Sequence, residues 1–506
     1  MKEIRIIDTT LRDAHQCLWA TRMTTAHILP VVERMDRTGF ESIDLMGTIQ
    51  FDVSVRYLKE DPWERVRLVH QKARKTPFRS LIRSKNIISF DVLPDDIIDL
   101  WVERLYANGF RVIGSFDGLN DVNNIADGLK RAKKLGAYTF GALSFCESPV
   151  HTDELFVRLA KDLIKQCNVD AIMIKDAGGL LTVDRIRTLV PALKKAIGKV
   201  PLELHSHCLT GLAPLVYLES VKLGVDQLHT SIKPLANGAA QPATQTMVRN
   251  LRNMGYAVNV NDALIDEVGE HFRGIAEREG KPVGVPAEYD AFHYEHQIPG
   301  GMLSNFKSQL AHAGLSDKYE ELLHEVAQVR RDLAWPIMIT PFAQLVGTQA
   351  VLNVAHGERY RFVPDEIKKY ALGYYGKLLG RVDPDVLDRI VEHGSKSIAL
   401  EPKPLPAAVP ALRKKYPNAS DDERLLRYMF AGSQVDDMLA AGPMRTELSA
   451  GTPIVDLLQA LMKRPKAGRV FIKKGDLQLE LRGIPESAPT RATADLEHDA
   501  VPGSND

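Results

Sequence analysis

The chain has 506 residues, with 65 basic and 65 acidic side chains and a formal net charge of zero. That balance offers no electrostatic attraction to nucleic acid or to an anionic membrane surface, and no apolar run is long enough to span a bilayer. The length exceeds what one ordinary core serves, so a large domain and a smaller one are expected. Four scattered cysteines without a CxxC pair suit reduced thiols in a cytoplasmic protein. The opening "MKEIRIIDTTLRD" enters a strand-like run directly, without the pattern of a signal peptide.

The first half alternates short apolar runs with longer amphipathic stretches. Strand-like runs fall at 3–8, 41–46, 79–83, 111–116, 138–145, 171–176, 201–207 and 227–232. Between them, stretches such as "DELFVRLAKDLIKQC" repeat apolar residues every three or four positions, the helical period. Regular alternation of this kind predicts parallel strands with helical crossovers, and eight repeats predict a closed (β/α)₈ TIM barrel, with an open sheet as the competing arrangement. The barrel core is expected over 1–261. From 262 to 400 the pattern turns helical, with "DALIDEVGEHFRGIAERE", "FKSQLAHAG" and "YEELLHEVAQVRRDL" and no strands between them. A proline-rich connector and a helix are expected over 401–450, a helix-and-hairpin module over 451–483, and a polar disordered tail over 484–506.

"VPLELHSHCLTG" (200–211) places His205 and His207 two apart on a strand, so both imidazoles share one face. At the carboxyl end of a barrel strand they would reach the mouth, where such enzymes keep their chemistry. Two imidazoles there are half of a divalent-metal site, or else a hydrogen-bonded structural pair. Other strand ends carry the remaining chemistry. "DTTLRDAHQ" brings Asp8, Asp13, His15 and Gln16, of which one carboxylate would complete a site. "MIKDAGG" brings Lys175, read as a carbamylated ligand, a Schiff-base lysine or a salt-bridged structural one. "LIR" brings Arg83, a carboxylate clamp or a surface arginine.

Together these segments resemble a known family. "IRIIDTTLRDAHQCLWATRMTT", "FDVSVRYLKEDPWERVR", "IKDAGGLL", "HSHCLTG", "GVDQLHTSI", "QPAT", "HQIPGGMLSN" and "TPFAQLVGTQAVLNV" are similar, in order, to the carboxyltransferase domain of biotin-dependent enzymes acting on 2-oxo acids. That family includes pyruvate carboxylase, the oxaloacetate decarboxylase alpha subunit and the keto-acid subunit of transcarboxylase. The resemblance implies that Asp13, carbamylated Lys175, His205 and His207 bind one divalent ion (zinc, manganese or cobalt). It implies that Arg12, Gln16 and Arg83 surround a small 2-oxo acid and its enolate, and that the Ser304 hydroxyl exchanges a proton with biotin. An N-cap role is the plainer reading of Ser304.

The chain also departs from the family. "LMGTIQFD" replaces a Trp-Gly-Gly segment, Gly114 replaces an arginine, and "LIRSKN" and "HTSIKPLA" introduce Lys85, His229 and Lys233. The two lysines either relocate anion binding or sit in solvent. No biotinyl "AMKM" hairpin is present; the nearest string, "ALMKRP" (460–465), lies in a helix-like stretch. The resemblance therefore implies that biotin arrives on a separate carrier chain. It also implies a biotin carboxylase partner, a homodimer within a larger complex, and for 453–483 either partner docking or a structural appendage. Two rival readings stand beside it. One is a metal-dependent lyase or synthase of the HMG-CoA lyase and isopropylmalate synthase type. The other is a non-catalytic assembly subunit.

Overall fold

The computed structural model describes residues 1–299 and 316–448, together with the backbone of two strands at 469–474 and 477–482. Eight parallel strands close into a barrel in chain order: β1 (Arg5–Asp8), β2 (Ser42–Gly47), β3 (Phe78–Arg83), β4 (Val112–Phe116), β5 (Tyr138–Ser144), β6 (Ala171–Asp176), β7 (Leu202–Ser206) and β8 (Gln227–Thr230). Closure is made by β8 against β1, with Arg5 opposite Gln227 and Asp8 opposite Thr230. The open-sheet alternative is thereby excluded. Each strand is helix-covered outside and packed inside, which is why it reads as an apolar run rather than a strict alternation.

The crossover helices follow local rules. In helix Asp153–Cys167 the Thr152 side chain accepts from the Leu155 N–H, and Asn168 closes the other end in the left-handed region at φ 50°. Leu155, Leu159 and Leu163 lie four apart, Phe156 lies three before Leu159, and all four are buried. Each contributes about 1.5–3 kcal/mol by leaving water. Helix Val183–Ile197 is capped the same way by Thr182.

The helical region continues the same compact body, which runs from Met1 to Glu447; Leu448–Asp506 forms a separate unit. Helices Asp262–Glu279, Tyr319–Asp332, Phe342–His356, Asp365–Ala371 and Pro384–His393 replace the strand–helix alternation. Their core gathers Leu322, Val326, Val329, Phe342, Val346 and Tyr370 and takes in Leu119 from the loop after β4. A Cβ on Gly118 would lie 2.5 Å from the Phe342 ring, so that glycine permits helix 342–356 to reach the barrel mouth. Past the prolines, the chain returns to helix at Val409–Lys415 and Asp421–Met429, within the 401–450 stretch expected to hold a connector and a helix. Asp422, opening helix Asp421–Met429, accepts from Arg104 Nε at 2.7 Å, Arg67 Nη1 at 3.0 Å and Asn108 Nδ2 at 3.1 Å, fastening this helix to the barrel's outer wall. In the second unit, Arg469–Lys474 and Leu477–Arg482 pair antiparallel as the expected hairpin. The expected helix at 306–314, the helical part of the 451–483 module and the 484–506 tail lie outside the described residues.

Candidate active site

The carboxyl ends of the strands surround a cavity of about 170 Å³. After β1 the chain makes one wide π-helical turn, Thr10–Ala14, with every residue buried. The Asp8 carboxylate shapes it by accepting from the Thr10 N–H at 3.1 Å and the Thr10 hydroxyl at 2.6 Å. The turn brings Arg12 and Asp13 over the mouth, and helix His15–Leu18 continues it with Gln16 and Cys17. Strand β7 leads to His207 on the cavity wall, with His205 buried just behind it, β6 adds Lys175 and β3 adds Arg83. Ile339 and Thr340 arrive from the helical region.

Asp13, His205 and His207 form a buried cluster whose ligand atoms all lie within 4.8 Å of one another. Asp13 Oδ2 stands 2.9 Å from His205 Nε2 and 3.1 Å from His207 Nε2, and the two Nε2 atoms are 3.3 Å apart. Atoms each held about 2.1 Å from one ion lie about 3.0–3.4 Å apart. The donor set and its spacing therefore fit a divalent cation. The amide nitrogen of Gln241 points into the same centre, 2.8 Å from Asp13 Oδ2, 3.2 Å from His207 Nε2 and 3.4 Å from His205 Nε2. The other ring nitrogen of His207 donates to the Ala239 carbonyl at 2.6 Å, which turns Nε2 toward the cluster, where a cation would replace the proton it otherwise shares with Asp13.

Burial works against the Asp13 carboxylate. The Arg12 guanidinium at 2.6 Å and the two imidazoles overcome that and hold it well below the usual carboxylate range. Burial also works against a charged His207, yet Asp13 lifts it to about 10, whereas burial and Lys175 push His205 down. The cluster as a whole attracts one cation to Asp13. Lys175 is buried, its amine lowered by desolvation against the pull of Asp13. Among the described residues it makes no hydrogen bond or ion pair; the Phe116 ring lies 5.6 Å from its Nζ.

The other expected residues are placed as follows. Arg12 spends its fork on two carboxylates, Nη1 on Asp13 and Nη2 on Asp44, both at 2.6 Å. Arg83 lines the cavity, but its Nη2 donates to the carbonyls of Ile88 and Ser89 at 2.7 and 2.8 Å, while its Nε finds no partner among the described residues. Gln16 lines the cavity, and its carbonyl oxygen accepts from Gln50 at 3.3 Å. Ser304 lies outside the described residues. Lys85 pairs with Asp95 at 2.7 Å, and neither it nor Lys233 lines the cavity. The space at Gly114 is filled: the Phe140 ring covers it, with Arg79 stacked 4.0 Å above that ring. Sequence reasoning passed over Gln241, Glu203 and Asp44. Glu203 stands one alternation before His205 and Gln241 opens the quoted "QPAT" segment, signals that were readable; Asp44 is brought in by tertiary structure alone.

A closed parallel barrel, with a buried acid–imidazole cluster at its carboxyl mouth and helices finishing the cavity, defines a barrel enzyme that works at its strand ends. Two family models match, "Conserved carboxylase domain" over residues 294–443 and "HMGL-like" over 119–271. A pyruvate carboxylase subunit of Methanocaldococcus jannaschii is 42% identical over 404 residues, covering 79% of this chain and 71% of the relative. The 2-oxoglutarate carboxylase large subunit of Hydrogenobacter thermophilus is 37% identical over 78% of this chain and 61% of that relative. The carboxyl transferase domain of Rhizobium etli pyruvate carboxylase, solved with pyruvate and biocytin, superposes with a TM-score of 0.80 at 24% identity, over 87% of this chain and 78% of that one. The chain belongs to the family of biotin-dependent carboxyltransferases and is a carboxyltransferase subunit of the pyruvate carboxylase type. The lyase alternative retains only the match to the shared barrel. Among the described residues, no helix is long and apolar enough to cross a membrane.

Proposed function

We propose that this subunit moves a carboxyl group between carboxylated biotin, brought on a separate carrier protein, and a small 2-oxo acid such as pyruvate or oxaloacetate. The observation that carries the reading is the buried Asp13–His205–His207 cluster beside a buried Lys175, in one cavity sized for a short acid. Asp13, His205, His207 and Lys175 hold a divalent ion in this reading, with zinc, manganese and cobalt all compatible with such donors. Desolvation favours the neutral Lys175 amine, which adds to CO₂ to form an N–CO₂⁻ carbamate with loss of one proton. The carbamate then presents an anionic oxygen where an ammonium would repel the ion.

A bound ion would supply Lewis acidity toward the developing enolate oxygen. The protein's own groups do the rest. Arg12, fixed by Asp13 and Asp44, sets positive charge beside the cavity in advance. The free Nε–H of Arg83 and the Gln16 amide are donors for the acid's carboxylate. In carboxylation the acceptor methyl loses a proton, the biotin N–CO₂ bond breaks, the enolate carbon takes the CO₂, and the biotin nitrogen takes the proton. The Ser304 hydroxyl is proposed to relay that proton.

In this reading 1–261 and 262–400 share the work of building the site, 401–450 connects, and 451–483 docks a carrier or a biotin carboxylase subunit. The assembly, a homodimer within a larger complex, works in the cytoplasm. Four unpaired cysteines support that compartment. Elemental analysis of wild type beside Lys175→Ala tests the site. About one ion per chain, mostly lost in the variant, is expected; a folded wild type without metal after unchelated purification rejects it.

A further inference from the structure

Below the metal cluster, the barrel interior carries charge instead of the apolar layers such barrels normally stack there. Arg79 on β3 donates from Nη2 to Glu203 Oε2 on β7 at 2.8 Å. The same carboxylate oxygen lies 3.0 Å from His229 Nε2 on β8. His229 Nδ1 in turn faces His205 Nδ1 at 3.2 Å, and His205 Nε2 reaches Asp13 at 2.9 Å. All five side chains are buried. An apolar column of the same volume would hold a barrel together as well or better, because burying an ion pair costs desolvation. Stability alone therefore does not explain the column.

Hydrogen counting does, once an ion stands between Asp13 and His205 Nε2; without one, the Asp13 carboxylate 2.9 Å away would itself call for a hydrogen on that nitrogen. A carboxylate paired with arginine can only accept, so His229 Nε2 must carry its hydrogen toward Glu203. A neutral imidazole that donates from Nε2 has a bare Nδ1. The facing atom, His205 Nδ1, must then be the donor, since two hydrogens cannot share a 3.2 Å gap. A His205 protonated at Nδ1 presents a bare Nε2 to Asp13, His207 and the cluster centre. The reverse arrangement would place a hydrogen on His205 Nε2 and leave no lone pair for a cation. His207 needs no such device, because the Ala239 carbonyl fixes it.

We propose that the Arg79–Glu203–His229 relay locks His205 in its Nδ1–H tautomer, and that His229 is the positioning residue through which the barrel core sets metal affinity. The inference rests on the metal reading above. It deepens that reading, since partners of ligating histidines orient the ring and are worth about 10–100-fold in affinity.

The test compares wild type, His229→Leu and His229→Asn as full chains. Zinc dissociation constants are measured by chelator competition, cobalt-substituted protein by visible absorption, and metal-free protein by thermal melting. Leucine removes the acceptor; asparagine restores one where Nδ1 stood. His229→Leu is expected to weaken zinc by about 10–100-fold and to alter the cobalt bands, and His229→Asn to recover most of both. Unchanged zinc affinity in His229→Leu overturns the relay. So does a loss that asparagine fails to recover and that tracks the melting of the metal-free variants, which would mark His229 as structural only. A wild type that binds neither zinc nor cobalt sinks the metal reading instead.

Discussion

Arg79→Met and Glu203→Gln, alone and together, probe the charged column in the barrel core. The pair is joined at 2.8 Å with side chains 2% and 1% exposed, so neither charge can fall back on water. Arg79 otherwise touches the Ser42 hydroxyl at 3.4 Å and the Phe140 ring face. Burial opposes the Glu203 carboxylate, yet Arg79 holds it down to about 2, so it is fully charged at neutral pH. Removing either partner strands the other charge and should cost about 3–5 kcal/mol. The double variant strands neither, and the glutamine carbonyl still accepts from His229 Nε2. Its loss should fall short of the summed single losses by at least about 2 kcal/mol. Urea unfolding of the four proteins with metal removed, read by tryptophan fluorescence, gives the cycle. Additive losses, or single losses below about 1 kcal/mol, would show that the column is solvated or loosely packed and refute the reasoning.

Three further outcomes follow from other sites. Burial raises the Asp8 carboxyl to about 7, above an unfolded value of about 3.9. The folded chain holds that proton more tightly, so this contribution is present below about pH 4 and lost as pH rises to 7. Asp8→Asn should therefore gain on wild type by up to about 3 kcal/mol between pH 5 and 8. An identical difference in unfolding free energy at the two ends of that range would contradict this. Cys17 is half-buried at the cavity wall while Cys146, Cys167 and Cys208 are buried. One fast-reacting thiol per chain should appear with iodoacetamide, be slowed by pyruvate, and vanish in Cys17→Ser; a fast thiol persisting there refutes the assignment. A Cβ on Gly114 would fall 2.1–2.3 Å from carbons of the Phe140 ring. Gly114→Ala should cost about 1–3 kcal/mol, and Phe140→Leu in the same chain should relieve part of it; an additive penalty would show that the ring was not the obstacle.

Much of this arrangement was legible from the residues. All eight strands lie within about two residues of the apolar runs that predicted them, the ordinary error of strand ends, because parallel strands buried on both faces leave compact apolar signatures. His205 and His207 fell on one face because the pairing with β6 runs one residue past β7, through the His207 N–H to the Asp176 carbonyl at 3.1 Å. The π-helical turn at Thr10–Ala14 was not legible. It depends on Asp8 accepting from Thr10 and on Asp44, from another strand, holding Arg12. The even choice over Lys85 is decided by Asp95, ten residues on, which takes the ammonium away from the cavity. His229 appeared in the sequence only as a departure from a family pattern. Its meaning required seeing Glu203 and His205 on either side of it.

Biotin-dependent decarboxylation of oxaloacetate tests the central claim most directly. The metal-loaded subunit is mixed with oxaloacetate, with and without free biotin, and the pyruvate formed is followed with lactate dehydrogenase and NADH. Related 2-oxo acids that carry a carboxyl group β to the ketone are run in parallel. The account predicts decarboxylation of at least one such acid that rises with biotin and is lost in a folded Lys175→Ala variant. A folded, metal-loaded wild type that shows no biotin-stimulated decarboxylation of any of them would contradict it.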